Sequence, residues 1–185
     1  GATLNVSYCR FSNEVYDLIV GNGTVNRGLS NSRGDPYFVN ADQKDYHLSS
    51  SGWHWSESPT HGSNWTYSYL TSICIDAGNP GSPLADELLT IPDDPNHDWG
   101  ENVRIDLGAY GGTAQASMPP YNWTLLGDLN NDAKVNYKDL FYQMEDWLES
   151  AAEQPGDLNR DGIIDMVDFA LLSSDWLQTS DNDYY

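Results

Sequence analysis

An acidic hexapeptide that occurs twice constrains the fold of this chain more than any other feature. Residues 127–132 read Gly-Asp-Leu-Asn-Asn-Asp, and residues 156–161 read Gly-Asp-Leu-Asn-Arg-Asp, 29 positions later. Each copy is followed by a stretch that ends in Asp-Trp-Leu, at residues 146–148 and 175–177. A repeat of this period indicates two copies of one supersecondary unit. The sequence therefore predicts two equivalent loop-and-helix units near the C-terminus.

Oxygen-bearing side chains recur at positions 1, 3, 5, 9 and 12 of a twelve-residue loop in both copies. They are Asp128, Asn130, Asp132, Asn136 and Asp139 in the first loop, and Asp157, Asn159, Asp161, Asp165 and Asp168 in the second loop. Calcium takes six to eight hard oxygen ligands, and position 7 supplies a backbone carbonyl, here that of Lys134 or Ile163. Asp and Asn also favour turns and helix caps. Two such loops in register nevertheless predict two bound calcium ions.

Position 6 distinguishes the two loops, because it requires a positive φ and therefore favours glycine. The second loop has Gly162 there, whereas the first has Ala133. We expect calcium to bind the second loop more tightly. Residues 121–185 carry 14 acidic and 3 basic side chains, so we also expect folding of this part to be coupled to the metal.

The repeat resembles the type I dockerin module over about residues 127–178. The resemblance implies a small α-helical domain of two calcium loop-helix units at 127–180, which docks onto a cohesin-type partner protein. In dockerins, loop positions 10 and 11 often contact the partner. These positions are Tyr137 and Lys138 in the first loop, and Met166 and Val167 in the second.

The N-terminal part lacks helical periodicity and alternates as short strands, for example over residues 4–8. Four motifs occur in order: GDPYFVN at 34–40, DYHL at 45–48, CIDAG at 74–78 and IDLGAYGG at 105–112. They resemble the C-terminal end of secreted right-handed parallel β-helix proteins, especially surface proteins of planctomycete-type bacteria. The resemblance implies that residues 1–118 form terminal β-helix coils with long loops and a cap, followed by a Pro-marked linker at 119–126.

The two cysteines, Cys9 and Cys74, are compatible with one disulfide in an oxidising compartment or with two buried free thiols. Both alternatives stay open at this point. The resemblances imply a secreted protein that works outside the cell or at the cell surface.

Composition excludes several classes of partner. The chain has 28 acidic and 8 basic side chains, with a formal net charge of −20. A surface of this charge disfavours nucleic acid and anionic membranes. No apolar run reaches the 18 residues that a membrane span requires.

No catalytic motif stands out, and the middle coils that carry the chemistry of β-helix enzymes are missing, so we expect no enzyme. The predicted function is an extracellular, calcium-stabilised attachment protein. Its dockerin-like tail would bind another protein or further copies of the chain, head to tail into filaments. The alternative is the C-terminal fragment of a secreted carbohydrate-active β-helix enzyme anchored through a dockerin. Five aromatic residues, which we call the aromatic group, could stack on sugar rings or form a satellite core. They are Trp53, Trp55, Trp65, Tyr67 and Tyr69.

Overall fold

Short two-stranded sheets, long turns and two helices make up the fold of this chain. The computed structural model describes residues 1–11, 22–56, 64–92 and 99–184. Two pairs of strands are parallel: β1 (Thr3–Val6) with β3 (Thr24–Arg27), and β2 (Arg10–Phe11) with β4 (Ser32–Arg33). Two pairs are antiparallel: β5 (Phe38–Asn40) with β6 (Asp45–Leu48), and β7 (His54–Trp55) with β8 (Trp65–Thr66).

The predicted parallel β-helix is wrong. Within the described ranges, each strand pair is a separate sheet, and no pair continues into a solenoid or a closed sheet. The strands are two to four residues long, and the pairing changes from parallel to antiparallel after β4. Between β5 and β6 a 3₁₀ turn (Ala41–Gln43) reverses the chain, with Lys44 in the left-handed region at φ 65°. A chain that reverses in this way cannot stack successive coils in one direction.

The predicted α-helical dockerin-like domain is also wrong. The described part of residues 127–180 contains two helices of nine residues each, α1 (Tyr137–Glu145) and α2 (Met166–Ser174), and is otherwise turns. The apolar residues of α1 do not form a core stripe, because this helix buries Asp139 and Gln143 and exposes Phe141 and Met144. α1 therefore lacks a continuous apolar face, and α2 contributes the buried Leu172 to the core.

Three apolar clusters form the core. The first surrounds the acidic loops and contains Leu125, Leu129, Val135, Leu158 and Leu172. The second contains Leu48, Cys74, Ile75 and Trp123, and the third contains Trp65, Ile91 and Met118. Trp123 and Leu125 lie in the segment that the sequence predicts to be a linker, and both are buried, in the second and first clusters respectively. The division into domains at 118 and 127 stays a prediction.

Three carboxyl groups are buried beside the second and third clusters. Asp76 Oδ1 accepts hydrogen bonds from the backbone N–H groups of Val103 and Arg104, at 3.1 Å each. Asp106 accepts from the N–H of Asp76 at 2.8 Å, and Glu87 accepts from the N–H of Asp106 at 2.9 Å. Burial raises the pKa of Asp76 to about 8, and it also raises the pKa values of Asp106 and Glu87. These acids therefore resist ionisation in the folded chain.

Replacing Asp76 by asparagine should reduce the pH dependence of stability. The folded chain holds a proton on Asp76 that the unfolded chain has lost, so the free energy of unfolding falls as pH rises from about 4 to about 8. Asparagine keeps the acceptor oxygen and removes the titration. Urea unfolding in a chelating buffer compares the variant with the unsubstituted chain at about pH 5 and about pH 8. At the higher pH, Asp76→Asn should be more stable than the unsubstituted chain by about 1–3 kcal/mol. The control Asp42→Asn alters an exposed residue and should show the same pH dependence of stability as the unsubstituted chain. If Asp76→Asn lost as much stability between the two pH values as the unsubstituted chain, a protonated Asp76 would be contradicted.

Candidate functional site

The two acidic loops share one pattern of hydrogen bonds at their first position. In each loop the aspartate at position 1 accepts from the backbone N–H groups at positions 5 and 6. In the first loop Asp128 accepts from Asp132 at 3.1 Å and from Ala133 at 2.8 Å. In the second loop Asp157 accepts from the corresponding residues at 3.1 and 2.8 Å. In both loops, an aspartate at position 1 therefore stabilises the bend at positions 5 and 6.

The aspartate at position 12 joins each loop to its helix. Asp139 Oδ2 accepts from the N–H of the helix N-cap Asn136 at 2.8 Å, and its Oδ1 accepts from the N–H of Leu129 at 2.9 Å across the loop. Asp168 makes comparable bonds in the second loop, accepting from the N–H of Asp165 at 2.9 Å and, at position 3 rather than position 2, from the N–H of Asn159 at 3.0 Å. These capping boxes explain why α1 and α2 begin at position 10 of each loop.

Positions 3 and 5 also interact in both loops, but the first loop has an additional cation. Asn130 Nδ2 donates to Asp132 Oδ2 at 3.3 Å, and Asn159 Nδ2 donates to Asp161 Oδ2 at 2.8 Å. In the first loop Lys138 Nζ also donates to Asp132 Oδ2 at 2.7 Å. Asp132 Oδ1 is buried and has no hydrogen-bond partner. One carboxylate oxygen of the first loop is thus left unsatisfied.

The carboxylates at positions 1 and 12 are removed from solvent. Asp128, Asp139, Asp157 and Asp168 are each at most 2% exposed. Burial raises the pKa of Asp128 to about 6, and it also raises the pKa of Asp139. The negative charge of Asp139 adds to the effect at Asp128, whereas Arg104 opposes it. The first loop therefore holds negative charge at an energetic cost.

Positions 6 to 8 shape the backbone of each loop. Ala133 has φ 65° and Gly162 has φ 94°, so both loops take the positive φ that position 6 requires. At position 7, Lys134 forms an antiparallel bridge with Thr179, and Ile163 is exposed. At position 8, Val135 accepts from the N–H of Leu177 at 2.9 Å, and Ile164 accepts from that of Leu148 at 2.9 Å. Each loop is thereby bonded to the segment that follows the other loop's helix.

The predicted partner-contact residues lie in the first turns of the helices. Tyr137 and Lys138 begin α1, and Met166 and Val167 begin α2. All four are exposed, although the ammonium group of Lys138 is bonded to Asp132. Partner binding at these residues stays a prediction.

Both cysteines are free thiols in the structure. Cys9 Sγ donates to the carbonyl of Ser7 at 3.3 Å, and burial raises the pKa of Cys74. The two residues line one mainly apolar cavity, together with Phe38 and Leu48. Pairing of the cysteines stays a prediction.

The aromatic group is divided between core and surface. Trp65 is buried with Ile91 and Met118, and Trp53 and Trp55 pack against that cluster. Tyr67 contacts Trp53 edge to face, with ring centroids 5.6 Å apart, and is about half exposed. Most of this group therefore forms a satellite core, and sugar binding stays a prediction.

A preformed metal centre is absent from the described residues. No group of three or more His, Cys, Asp or Glu side chains in these ranges is arranged to hold a metal ion. The prediction of two loop-helix metal centres is wrong as regards a preformed site in these ranges. The carboxylate oxygens at positions 1 and 12 accept backbone hydrogen bonds in the structure.

Sequence reasoning missed the basic residue that supports the first loop. Arg104 is fully buried, and its Nη1 donates to Asn131 Oδ1 at 2.5 Å. Its Nη2 donates to the carbonyls of Leu125 at 2.5 Å, Leu126 at 3.0 Å and Asp128. Burial lowers the pKa of Arg104, and the nearby carboxylates oppose this effect. The contact spans more than 20 residues and belongs to no sequence motif; the scarcity of basic residues was the only available signal.

The N-terminal part is similar to a protein family described as "Disaggregatase related", which matches residues 4–78. The match covers less than half of the chain, and the family is neither a β-helix nor a dockerin family by its description. Both resemblances drawn from the sequence are therefore corrected. No curated protein and no solved structure matches the chain. Among the described helices, none has the length and apolar character to cross a membrane.

Replacing Gly162 by alanine should destabilise the second loop. A Cβ atom at this position would meet no other atom within 4 Å, so the cost arises from the backbone at φ 94°. We expect the free energy of unfolding to fall by about 1–2 kcal/mol in urea denaturation. The reverse exchange in the first loop, Ala133→Gly, relieves strain but removes a buried methyl group, so its net effect should be smaller. Full stability in Gly162→Ala would contradict a strained position 6.

Proposed function

We propose that this chain is a calcium-stabilised, non-catalytic structural protein that acts outside the cell and assembles with other protein chains. The observation that carries the proposal is the burial of Asp128, Asp139, Asp157 and Asp168 in two loops with the same hydrogen-bond pattern. Buried carboxylates cost free energy unless a positive charge compensates them. A cation bound in each loop would supply that charge.

The donor chemistry of the loops favours calcium over softer metals. The side chains at positions 1, 3, 5, 9 and 12 offer carboxylate and amide oxygens, and calcium prefers hard oxygen ligands. The unsatisfied Asp132 Oδ1 is a free acceptor within the first loop. The residues that would hold the two ions are Asp128, Asn130, Asp132, Lys134, Asn136 and Asp139, and Asp157, Asn159, Asp161, Ile163, Asp165 and Asp168; Lys134 and Ile163 would contribute carbonyl oxygens.

Two features favour tighter binding by the second loop. Gly162 takes a positive φ without the strain that Ala133 carries in the first loop. The ammonium group of Lys138 is bonded to Asp132 and would compete with a cation there, whereas position 11 of the second loop is Val167. Calcium that binds the first loop must displace Lys138 from Asp132, and this loop also carries the strained Ala133.

Calorimetric titration tests the calcium proposal. The unsubstituted chain should bind two calcium ions, and Asp157→Ala combined with Asp161→Ala should remove the tighter event, because both substitutions delete oxygens of the second loop. The control Glu149→Ala removes an exposed acid outside the loops and should leave both events unchanged. Circular dichroism checks that each variant is folded. No heat of binding in the unsubstituted chain, or two unchanged events in the double variant, would contradict the proposal.

The surface beside the loops supports a role in assembly. Met166 and Val167 are 64% and 52% exposed at the start of α2, and Tyr137 is exposed at the start of α1. Apolar side chains that stand together at a surface often mark protein contacts. A net charge of −20 keeps copies of the chain apart, and bound calcium would reduce that repulsion. The similarity of residues 4–78 to a family described as disaggregatase related is compatible with a role in assembly and names no reaction for this chain.

Light scattering tests whether copies of the chain associate through this surface. Particles should be larger in calcium than in chelator, and Met166→Ser with Val167→Ser should abolish the difference by removing apolar contact area. The control Tyr69→Ser alters a residue that is 96% exposed in the N-terminal part and should behave as the unsubstituted chain does. The mass of a single chain in both conditions would rule out assembly with further copies.

A further inference from the structure

Position 4 of each acidic loop contacts the same region of the N-terminal part. Asn131, in the first loop, donates from Nδ2 to the carbonyl of Ala77 at 2.8 Å. Arg160, at the equivalent position of the second loop, donates to the carbonyls of Pro80 at 3.0 Å and Val103 at 2.7 Å. Both loops are therefore hydrogen-bonded to residues 77–80, and the second loop is also hydrogen-bonded to Val103.

Arg104 makes the reciprocal contact from the N-terminal part. Its guanidinium donates to Asn131 Oδ1 at 2.5 Å and to carbonyls at the start of the first loop. Asp76 Oδ1 accepts from the N–H groups of Val103 and Arg104, which joins the two contacted segments to each other. Asn131, Arg160, Arg104 and Asp76 form one continuous network, which we call the loop clamp.

We propose that the loop clamp makes cation binding by the acidic loops and packing of the N-terminal part depend on each other. This inference rests on the proposed binding of calcium. The clamp holds the residue at position 4 of each loop, between the proposed ligands at positions 3 and 5, and so favours the closed loop over an open one. A cation that binds the closed loop gains affinity from any contact that favours closure, and by linkage it strengthens that contact to the same extent.

The positive charge of Arg160 allows the effect of the clamp on calcium binding to be distinguished from the effect of Coulomb repulsion. Arg160 adds a positive charge to the second loop, between the proposed calcium ligands Asn159 and Asp161. Coulomb repulsion alone predicts that removing this positive charge tightens calcium binding. The clamp predicts the opposite, because the lost bonds to Pro80 and Val103 release the loop. The sign of the change therefore decides between the two effects.

Two substitutions release the clamp with little other disturbance. Asn131→Gly removes both side-chain bonds without changing charge, and glycine adopts the φ of 54° at this position readily. Arg160→Asn gives the second loop the residue found in the first, and asparagine tolerates the φ of 59° there. Ala85→Gly is the control, because Ala85 also has a positive φ, of 54°, and is an exposed residue outside both acidic loops.

Calorimetry and hydrogen exchange on the full chain test the coupling, with calcium chloride as the probe. Asn131→Gly should weaken binding by the first loop, and Arg160→Asn binding by the second, each by about fivefold or more. In the unsubstituted chain, calcium should slow amide exchange at residues 76–78 and 103–107 by about tenfold. That protection should disappear when both substitutions are combined, and Ala85→Gly should retain both the affinity and the protection.

Unchanged or tighter binding in Arg160→Asn would overturn the coupling. So would amides at 76–78 and 103–107 that exchange at one rate in calcium and in chelator while calorimetry shows calcium bound. Either result would leave the calcium proposal intact. An unsubstituted chain that binds no calcium would overturn the calcium proposal and the coupling together.

Discussion

Buried aspartate carboxylates in two acidic loops are the constraint on which the C-terminal part of this chain depends. Their oxygens accept hydrogen bonds from the backbone N–H groups at the bend of each loop and at the start of each helix, and these bonds stabilise the local fold. The same burial is costly in a chain with a net charge of −20. The raised pKa values of Asp128 and Asp139 reflect that cost. Bound cations would offset it, which is the physical basis of the proposed function.

Arg104 supplies part of the missing positive charge from the other half of the chain. Its guanidinium opposes the raised pKa of Asp128 and satisfies carbonyls at the start of the first loop. Tyr8 makes a second long-range bond to the same loop, from its hydroxyl to the carbonyl of Leu129 at 3.1 Å. Glu153, between the two loops, accepts through its carbonyl from Asn79 Nδ2 at 2.6 Å. The N-terminal part thus supports the acidic loops by hydrogen bonds as well as by charge.

Sequence reasoning captured what acts over a few residues and failed where distant residues decide the structure. The spacing of Asp128, Asp132 and Asp139 recurs in the second loop, and both copies make the same bonds, because Asp side chains bond to backbone within about ten residues. The predicted β-helix failed because strand-like alternation does not reveal which strands pair or in which direction. The predicted helical domain failed because the repeat did not reveal that α1 would bury Gln143 and expose Phe141. The bonds of Arg104 and Arg160 link residues far apart in the chain and carry no local pattern.

A crystal structure of the chain grown in calcium would test the central claim most directly. The account predicts anomalous difference density for one ion in each acidic loop, with six to eight oxygen ligands at about 2.3–2.6 Å. The carboxylates of Asp132 and Asp161 would turn toward the ions, and Lys138 would leave Asp132. Loops that hold only water at saturating calcium, with Lys138 still bonded to Asp132, would contradict the account.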